Sequence, residues 1–136
     1  MRIIGLGNDL VDIRRIEKSL KRFEGRFKNR VFSALEIEYC HSKGNSSANF
    51  AKRFAAKEAC AKALGTGIAD GVFWKDICVI NDKNGKPAIK LTGGALERLN
   101  SLVPKGMKSQ IDLTMTDEPP MAQAIVILTA FKAEEQ

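Results

Sequence analysis

At 136 residues, with 44% hydrophobic and 28% charged side chains, the sequence has the size and composition of one globular domain with its own apolar core. No apolar run approaches the roughly 20 residues that cross a bilayer. The start, Met1-Arg2-Ile3-Ile4-Gly5-Leu6-Gly7-Asn8-Asp9, lacks the apolar stretch and cleavage site of a secretory signal, so a cytoplasmic protein is expected.

Residues 2–8 read as a short buried strand in which Gly5 and Gly7 permit close backbone approach, with Asp9 at its end. Asp12 is the expected N-cap of a helix whose apolar positions Ile13, Ile16, Leu20 and Phe23 recur at helical spacing. A second helix is expected over 33–40, a loop over 42–47, and a long helix over 48–64 that is rich in alanine and free of Gly and Pro. Gly65-Thr66-Gly67 suits its left-handed C-terminal end. Strands follow at 77–81 and 88–91, forming a hairpin around Asp82-Lys83-Asn84-Gly85, then a helix over 94–102. The last two strands, 111–116 and 122–131, join across Asp117-Glu118-Pro119-Pro120. The pattern predicts a single α+β domain over 1–136, a mainly antiparallel sheet packed against helices that include one long Ala-rich helix.

The formal charge of +6 calls for an acidic partner or a phosphorylated ligand without choosing between them. The three cysteines, Cys40, Cys60 and Cys78, form no C-x-x-C pair, which argues against a disulfide framework or a zinc site. Cys40 precedes the one histidine, His41, but neighbouring residues on a helix point in different directions, so a nucleophile–base dyad is not expected. Gly5-Leu6-Gly7 is a poor dinucleotide fingerprint: the third glycine is missing, and the helix begins only after Asp9 and Asp12, which would repel a pyrophosphate unless a metal intervenes. Glu58 and Lys62 are four apart and share a helix face; spacing alone leaves open an exposed ion pair, worth about 0.2–0.5 kcal/mol, or a charged site.

Two segments carry most of the motif content. Gly5-x-Gly7-x-Asp9-Leu10-Val11, taken with Phe54-Ala55-Ala56-Lys57-Glu58-Ala59-x-x-Lys62-Ala63-Leu64-Gly65-Thr66-Gly67, strongly resembles the holo-acyl-carrier-protein synthases, the short single-domain phosphopantetheinyl transferases. The likeness continues through Asn84-Gly85-Lys86-Pro87, Leu91-Thr92-Gly93 and Ala122-Gln123-Ala124, and so spans essentially the whole chain.

The resemblance implies transfer of 4′-phosphopantetheine from coenzyme A to a serine of an acyl carrier protein, in support of fatty acid biosynthesis. It implies magnesium held by Asp9 and Glu58, an ion that takes one or two carboxylates and completes its shell with water and phosphate oxygens. Lys62 is expected to contact the same phosphates, with Lys57 beside it. Arg53, Gly65 and the turn Lys86-Pro87 are the further expected coenzyme contacts; Lys43 and Lys52 are weaker candidates. A Ser-His pair of the family's penultimate strand falls, counting back from Ala122-Gln123, on Thr114 and Met115, so a basic residue elsewhere is expected to replace that histidine. Between Arg14 and Arg30 stand eight basic residues against Glu17 and Glu24. Acyl carrier proteins are strongly acidic, so Arg15, with Arg22 and Arg26, is the expected docking face. Family members form homotrimers with active sites between subunits. A nucleic-acid partner is not expected: Asp9 and Glu58 would oppose a polyanion, and one Trp and one Tyr give no stacking platform.

Overall fold

The computed structural model of the chain, which describes residues 1–22 and 25–135, opens on one long strand, β1 (Arg2–Asp12). There follow α1 (Ile13–Arg22), α2 (Arg26–Val31), α3 (Ala34–His41), the long α4 (Ser46–Ala63), a hairpin of β2 (Ile77–Asn81) and β3 (Pro87–Leu91), α5 (Gly93–Leu102), and a second hairpin of β4 (Lys108–Glu118) and β5 (Met121–Phe131). All strand pairs are antiparallel, in two sheets of order β1-β5-β4 and β2-β3. Among the described residues no helix is long and apolar enough to cross a membrane.

Most elements stand where local chemistry puts them. Asp12 caps α1, its Oδ1 accepting from the Arg14 N–H at 2.9 Å, and Ile16 turns inward. Phe23, expected on the same apolar face, lies outside the described residues. Ser33 and Glu36 start α3 with a reciprocal capping box: the Glu36 N–H donates to Ser33 Oγ (3.2 Å) and the Ser33 N–H to Glu36 Oε1 (2.8 Å). Gly65, at φ 81°, ends α4, and its N–H reaches the Lys62 carbonyl at 2.9 Å. The six-residue α2 is the helix that periodicity does not single out, because it is too short to show a repeat.

Tertiary pairing overrides the local reading at β1. The strand runs four residues past the expected 2–8 because β5 pairs with it along its length, from Arg2 opposite Ala130 to Asp12 opposite Met121. Asp9 therefore lies inside the strand, opposite Ala124, and not at its end.

The core is built around α4, which presents two unlike faces. Toward the three-stranded sheet it shows Ala59 and Ala63, one turn apart, against Gly7 and Gly5 of β1 and the small inward residues Ala122 and Ala124 of β5. On its other side Phe50 and Phe54 pack with large rings: centroids lie 4.9 Å apart for Phe32–Phe50, 6.0 Å for Phe27–Phe54 and 5.1 Å for Phe54–Trp74. Small residues bring helix and sheet close; aromatic residues fill the wider space under α1–α3.

A Cβ at Gly7 would land on the Ala59 carbonyl oxygen, a backbone atom that cannot swing aside. Gly7→Ala should therefore lower stability by about 1–3 kcal/mol or more, seen as a fall in the thermal midpoint. Gly44→Ala, at a position with open space around it, should leave that midpoint nearly unchanged. Equal shifts for the two variants would contradict the close contact.

Candidate active site

The glycine–alanine contact fixes the distance between β1 and α4, and three charged side chains collect beside it. Asp9 comes two residues after Gly7 on β1; Glu58 and Lys62 flank Ala59 and Ala63 on α4. Lys62 Nζ lies 3.0 Å from Asp9 Oδ1 and donates to the Asn8 carbonyl at 3.0 Å. Asn8 is held in turn by Gln123 of β5, whose Nε2 donates to Asn8 Oδ1 at 2.8 Å. Burial raises the Glu58 carboxyl above its ordinary pKa, the Asp9 charge raises it further, and Lys62 and Arg15 pull it back. A carboxyl whose ionisation is disfavoured, beside a second carboxylate that already holds an ammonium, forms a site that accepts positive charge.

This donor set fits a hard divalent cation. Among the described residues no group of three or more His, Cys, Asp or Glu side chains gathers to hold an ion. Two carboxylates suit an ion such as magnesium that keeps water and takes phosphate oxygens from its substrate.

The remaining expected contacts are distributed unevenly. Gly65 is exposed one turn beyond Lys62, at the end of α4. Lys57 is not available to a coenzyme: its side chain is 0% exposed and makes an ion pair with Glu36 Oε1 at 2.8 Å, and it also donates to the carbonyls of Trp74 and Ile77. Those three acceptors use all three N–H donors of the ammonium, which corrects the coenzyme reading of this residue. Burial lowers the Lys57 pKa, with Glu36 opposing the shift.

Arg53 is also drawn inward. It is 2% exposed, its guanidinium stacked 4.1 Å above the Tyr39 ring and Nη2 donating to Asn81 Oδ1 at 3.2 Å. Asn81 Nδ2 in turn donates to the Gly85 carbonyl at 3.0 Å. Arg53 thus stands behind the turn that carries Lys86 and Pro87 and supports it through Asn81. The turn itself is braced by Asp82 Oδ1, which accepts from the N–H groups of Asn84 and Lys86 at 2.8 and 2.9 Å.

Thr114 of β4 is exposed, whereas Met115 alternates inward and packs against the core. Two residues on, Asp117 holds Lys52 at 3.3 Å, so a cation does reach this end of the strand. Arg15, Arg22 and Arg26 are all exposed on α1 and α2. Arg15 is the one nearest the carboxylates: its guanidinium lies 5.7 Å from the Phe54 ring centroid, and its charge is felt at Glu58. Cys40 is fully buried, its thiol pushed up by burial to about 11, while His41 Nε2 meets Lys28 Nζ at 3.0 Å; no dyad forms between them.

Sequence reading missed Glu36 and Asn81. The Ser33-x-x-Glu36 spacing signals a capping box, but nothing in it shows that the second carboxylate oxygen accepts from the Val79 N–H (2.9 Å) while the first holds Lys57. Asn81 carries no local signal; only the fold sets it between Arg53 and Gly85.

The sequence matches the 4′-phosphopantetheinyl transferase superfamily over residues 5–116. It is 58% identical over 128 residues to a holo-[acyl-carrier-protein] synthase of Sinorhizobium fredii (strain NBRC 101917 / NGR234), covering 94% of this chain and 92% of the relative. Among solved structures, holo-[acyl-carrier-protein] synthase from Neisseria meningitidis is 35% identical at a TM-score of 0.81, covering 94% of this chain and 99% of that one. The Helicobacter pylori holo-[acyl-carrier-protein] synthase, solved in complex with coenzyme A, is 32% identical at a TM-score of 0.77, covering 91% and 99%. The chain belongs to the 4′-phosphopantetheinyl transferase superfamily and, within it, to the holo-[acyl-carrier-protein] synthases, which are enzymes.

The buried pair gives a test that is independent of activity. Glu36→Gln should destabilise the protein by roughly 3–5 kcal/mol, because it leaves the Lys57 charge buried without a counter-ion. The double variant Glu36→Leu/Lys57→Met should recover much of that loss in urea unfolding. A neutral Glu36→Gln would contradict the buried pair.

Proposed function

We propose that the chain transfers the 4′-phosphopantetheine group from coenzyme A to a serine of an apo acyl carrier protein, releasing adenosine 3′,5′-bisphosphate, in a magnesium-dependent reaction that serves fatty acid biosynthesis in the cytoplasm. The single domain spans 1–136. The observation that carries this reading is the convergence of Asp9, Glu58 and Lys62 where β1 and α4 meet backbone to backbone.

Asp9 and Glu58 are the residues that would hold the magnesium ion. When bound, it supplies charge neutralisation to the pyrophosphate and its leaving group. The protein's own side chains have modest tasks, since phosphoryl transfer needs positioning and charge complementarity above all. Lys62 presents its ammonium to the phosphates. Gly65, exposed at the end of α4, leaves the chain accessible beside them. Glu58, partly withdrawn from water, accepts the serine proton directly or through a water beside it. Lys86 and Pro87 form the outer coenzyme contact, with Arg53 and Asn81 holding their turn in place.

Two features support a homotrimer with active sites between subunits. Arg53 and Lys62 are nine positions apart on α4, about two and a half helical turns, so the Lys86–Pro87 turn and the carboxylate pair lie on opposite sides of the helix. One coenzyme can meet both sets of residues without encircling α4 if they come from neighbouring copies. The outer face of the three-stranded sheet also exposes Leu6 (64%) and Leu10 (57%) beside Ile125 and Ile127 of β5, an apolar patch that a second copy would cover.

For the acidic carrier, Arg15, Arg22 and Arg26 provide a cationic approach whose inner end, Arg15, adjoins Glu58. Such a face steers encounter and fixes orientation. A duplex or single-stranded nucleic acid would gain from the same cations but would meet the two carboxylates behind them.

The test is incubation with apo carrier protein, coenzyme A and magnesium, read by intact-protein mass spectrometry. Addition of one phosphopantetheine group per carrier is expected. Asp9→Asn and Glu58→Gln should each slow the reaction by at least roughly 10²-fold, the scale of several kcal/mol of lost charge stabilisation, with unchanged circular dichroism. No modification of several apo carriers, or a wild-type rate from either variant at limiting magnesium, would overturn the reading.

A further inference from the structure

We propose that Lys62 is a removable counter-ion of the Asp9–Glu58 pair, so that this side chain adds to the positive coupling with which the pyrophosphate of coenzyme A and a divalent cation enter the site. The inference rests on the reading of the two carboxylates as the cation site, and extends it to how that site is loaded.

Lys62 Nζ takes Asp9 Oδ1 at 3.0 Å and the Asn8 carbonyl at 3.0 Å. Two of the three ammonium N–H donors are thus directed at the strand that carries the first carboxylate. One of the two oxygens they occupy, Asp9 Oδ1, is a carboxylate oxygen of the kind a hard cation takes. An ammonium and a divalent ion at contact distance from the same carboxylate repel each other strongly, so in the absence of an anion the lysine and the cation compete. Among the described residues, Lys62 is the one cation in an ion pair with Asp9.

The two partners differ in freedom. The Asp9 side chain is 15% exposed, whereas that of Lys62 is 51% exposed. Asp9 is fixed within β1, and its neighbour Asn8 is tied to Gln123; Lys62 ends a flexible four-carbon stem that can turn outward. A pyrophosphate offers this ammonium several anionic oxygens in place of one. Moving to them keeps the lysine charge paired and exposes Asp9 for the cation. By linkage, the cation must then tighten coenzyme binding by the same factor by which the coenzyme tightens cation binding. A lysine that only contacted phosphate would weaken coenzyme binding when removed and leave the cation affinity alone. One that only braced the fold would shift stability and neither affinity.

The experiment measures Mn2+ binding to the full chain by electron paramagnetic resonance, with and without coenzyme A, and coenzyme A binding by calorimetry. The proteins are wild type, Lys62→Met, Lys62→Arg and Glu58→Gln, each checked for its thermal midpoint. Mn2+ alone should bind Lys62→Met about tenfold more tightly than wild type, within the usual range of coupling between two sites. Coenzyme A should bind this variant more weakly and enhance Mn2+ binding less than it does in wild type, while Lys62→Arg keeps the full coupling. Unchanged or weaker Mn2+ binding by Lys62→Met overturns the proposal. If Glu58→Gln abolishes Mn2+ binding while Lys62→Met does not alter it, the cation site stands and the counter-ion role alone is lost. If Glu58→Gln has no effect on Mn2+ binding, the carboxylate site fails and the counter-ion role with it.

Discussion

α4 rests on β1 at Gly5 and Gly7, with no side chain between the strand backbone and the carbonyls of Ala63 and Ala59. This contact sets the depth at which the helix sits and the separation of the two backbones that carry Asp9, Glu58 and Lys62. A methyl group there would push the helix outward and carry Glu58 and Lys62 away from Asp9 together. The alanines of α4 and the small residues of β5 serve the same end, and the aromatic cluster around Phe32, Phe50, Phe54 and Trp74 holds the helix down from its other side. The site is made by packing before it is made by charge.

Charge is then arranged by depth. Deepest is the Glu36–Lys57 pair, sealed from solvent and joining α3, α4 and the start of β2. Next are Asp9, Glu58 and Lys62 in a half-buried rim, where electrostatic terms are larger than in bulk water. Outermost are the cations of α1 and α2, exposed and screened by salt, suited to steering an acidic partner. Adjacent residues Lys57 and Glu58 belong to different layers because a helix turns about 100° between them. One becomes structural and the other faces the rim.

The sequence was most legible where a local signal coincides with the fold: the helix ends at Asp12 and Gly65, the Ala-rich α4, and both hairpins. The close approach at Gly5 and Gly7 was also foreseeable from two glycines in a strand. Non-local effects were not. β1 extends through Asp12 because β5 is there to pair with it. Lys57 is buried because Glu36, Trp74 and Ile77, from separate segments, converge on its ammonium. Arg53 is drawn inward by Tyr39 and Asn81. Spacing alone could not tell the Glu58–Lys62 pair from an ordinary surface ion pair; family resemblance supplied Asp9 as the third member, and the fold sets Lys62 directly on it.

The most direct measurement is anomalous diffraction from crystals grown with Mn2+ and coenzyme A. The account predicts one strong metal peak whose protein ligands are carboxylate oxygens of Asp9 and Glu58, with Lys62 turned from Asp9 onto the phosphates. A peak held by other residues, or Lys62 still paired with Asp9 beside a fully occupied metal, would contradict it.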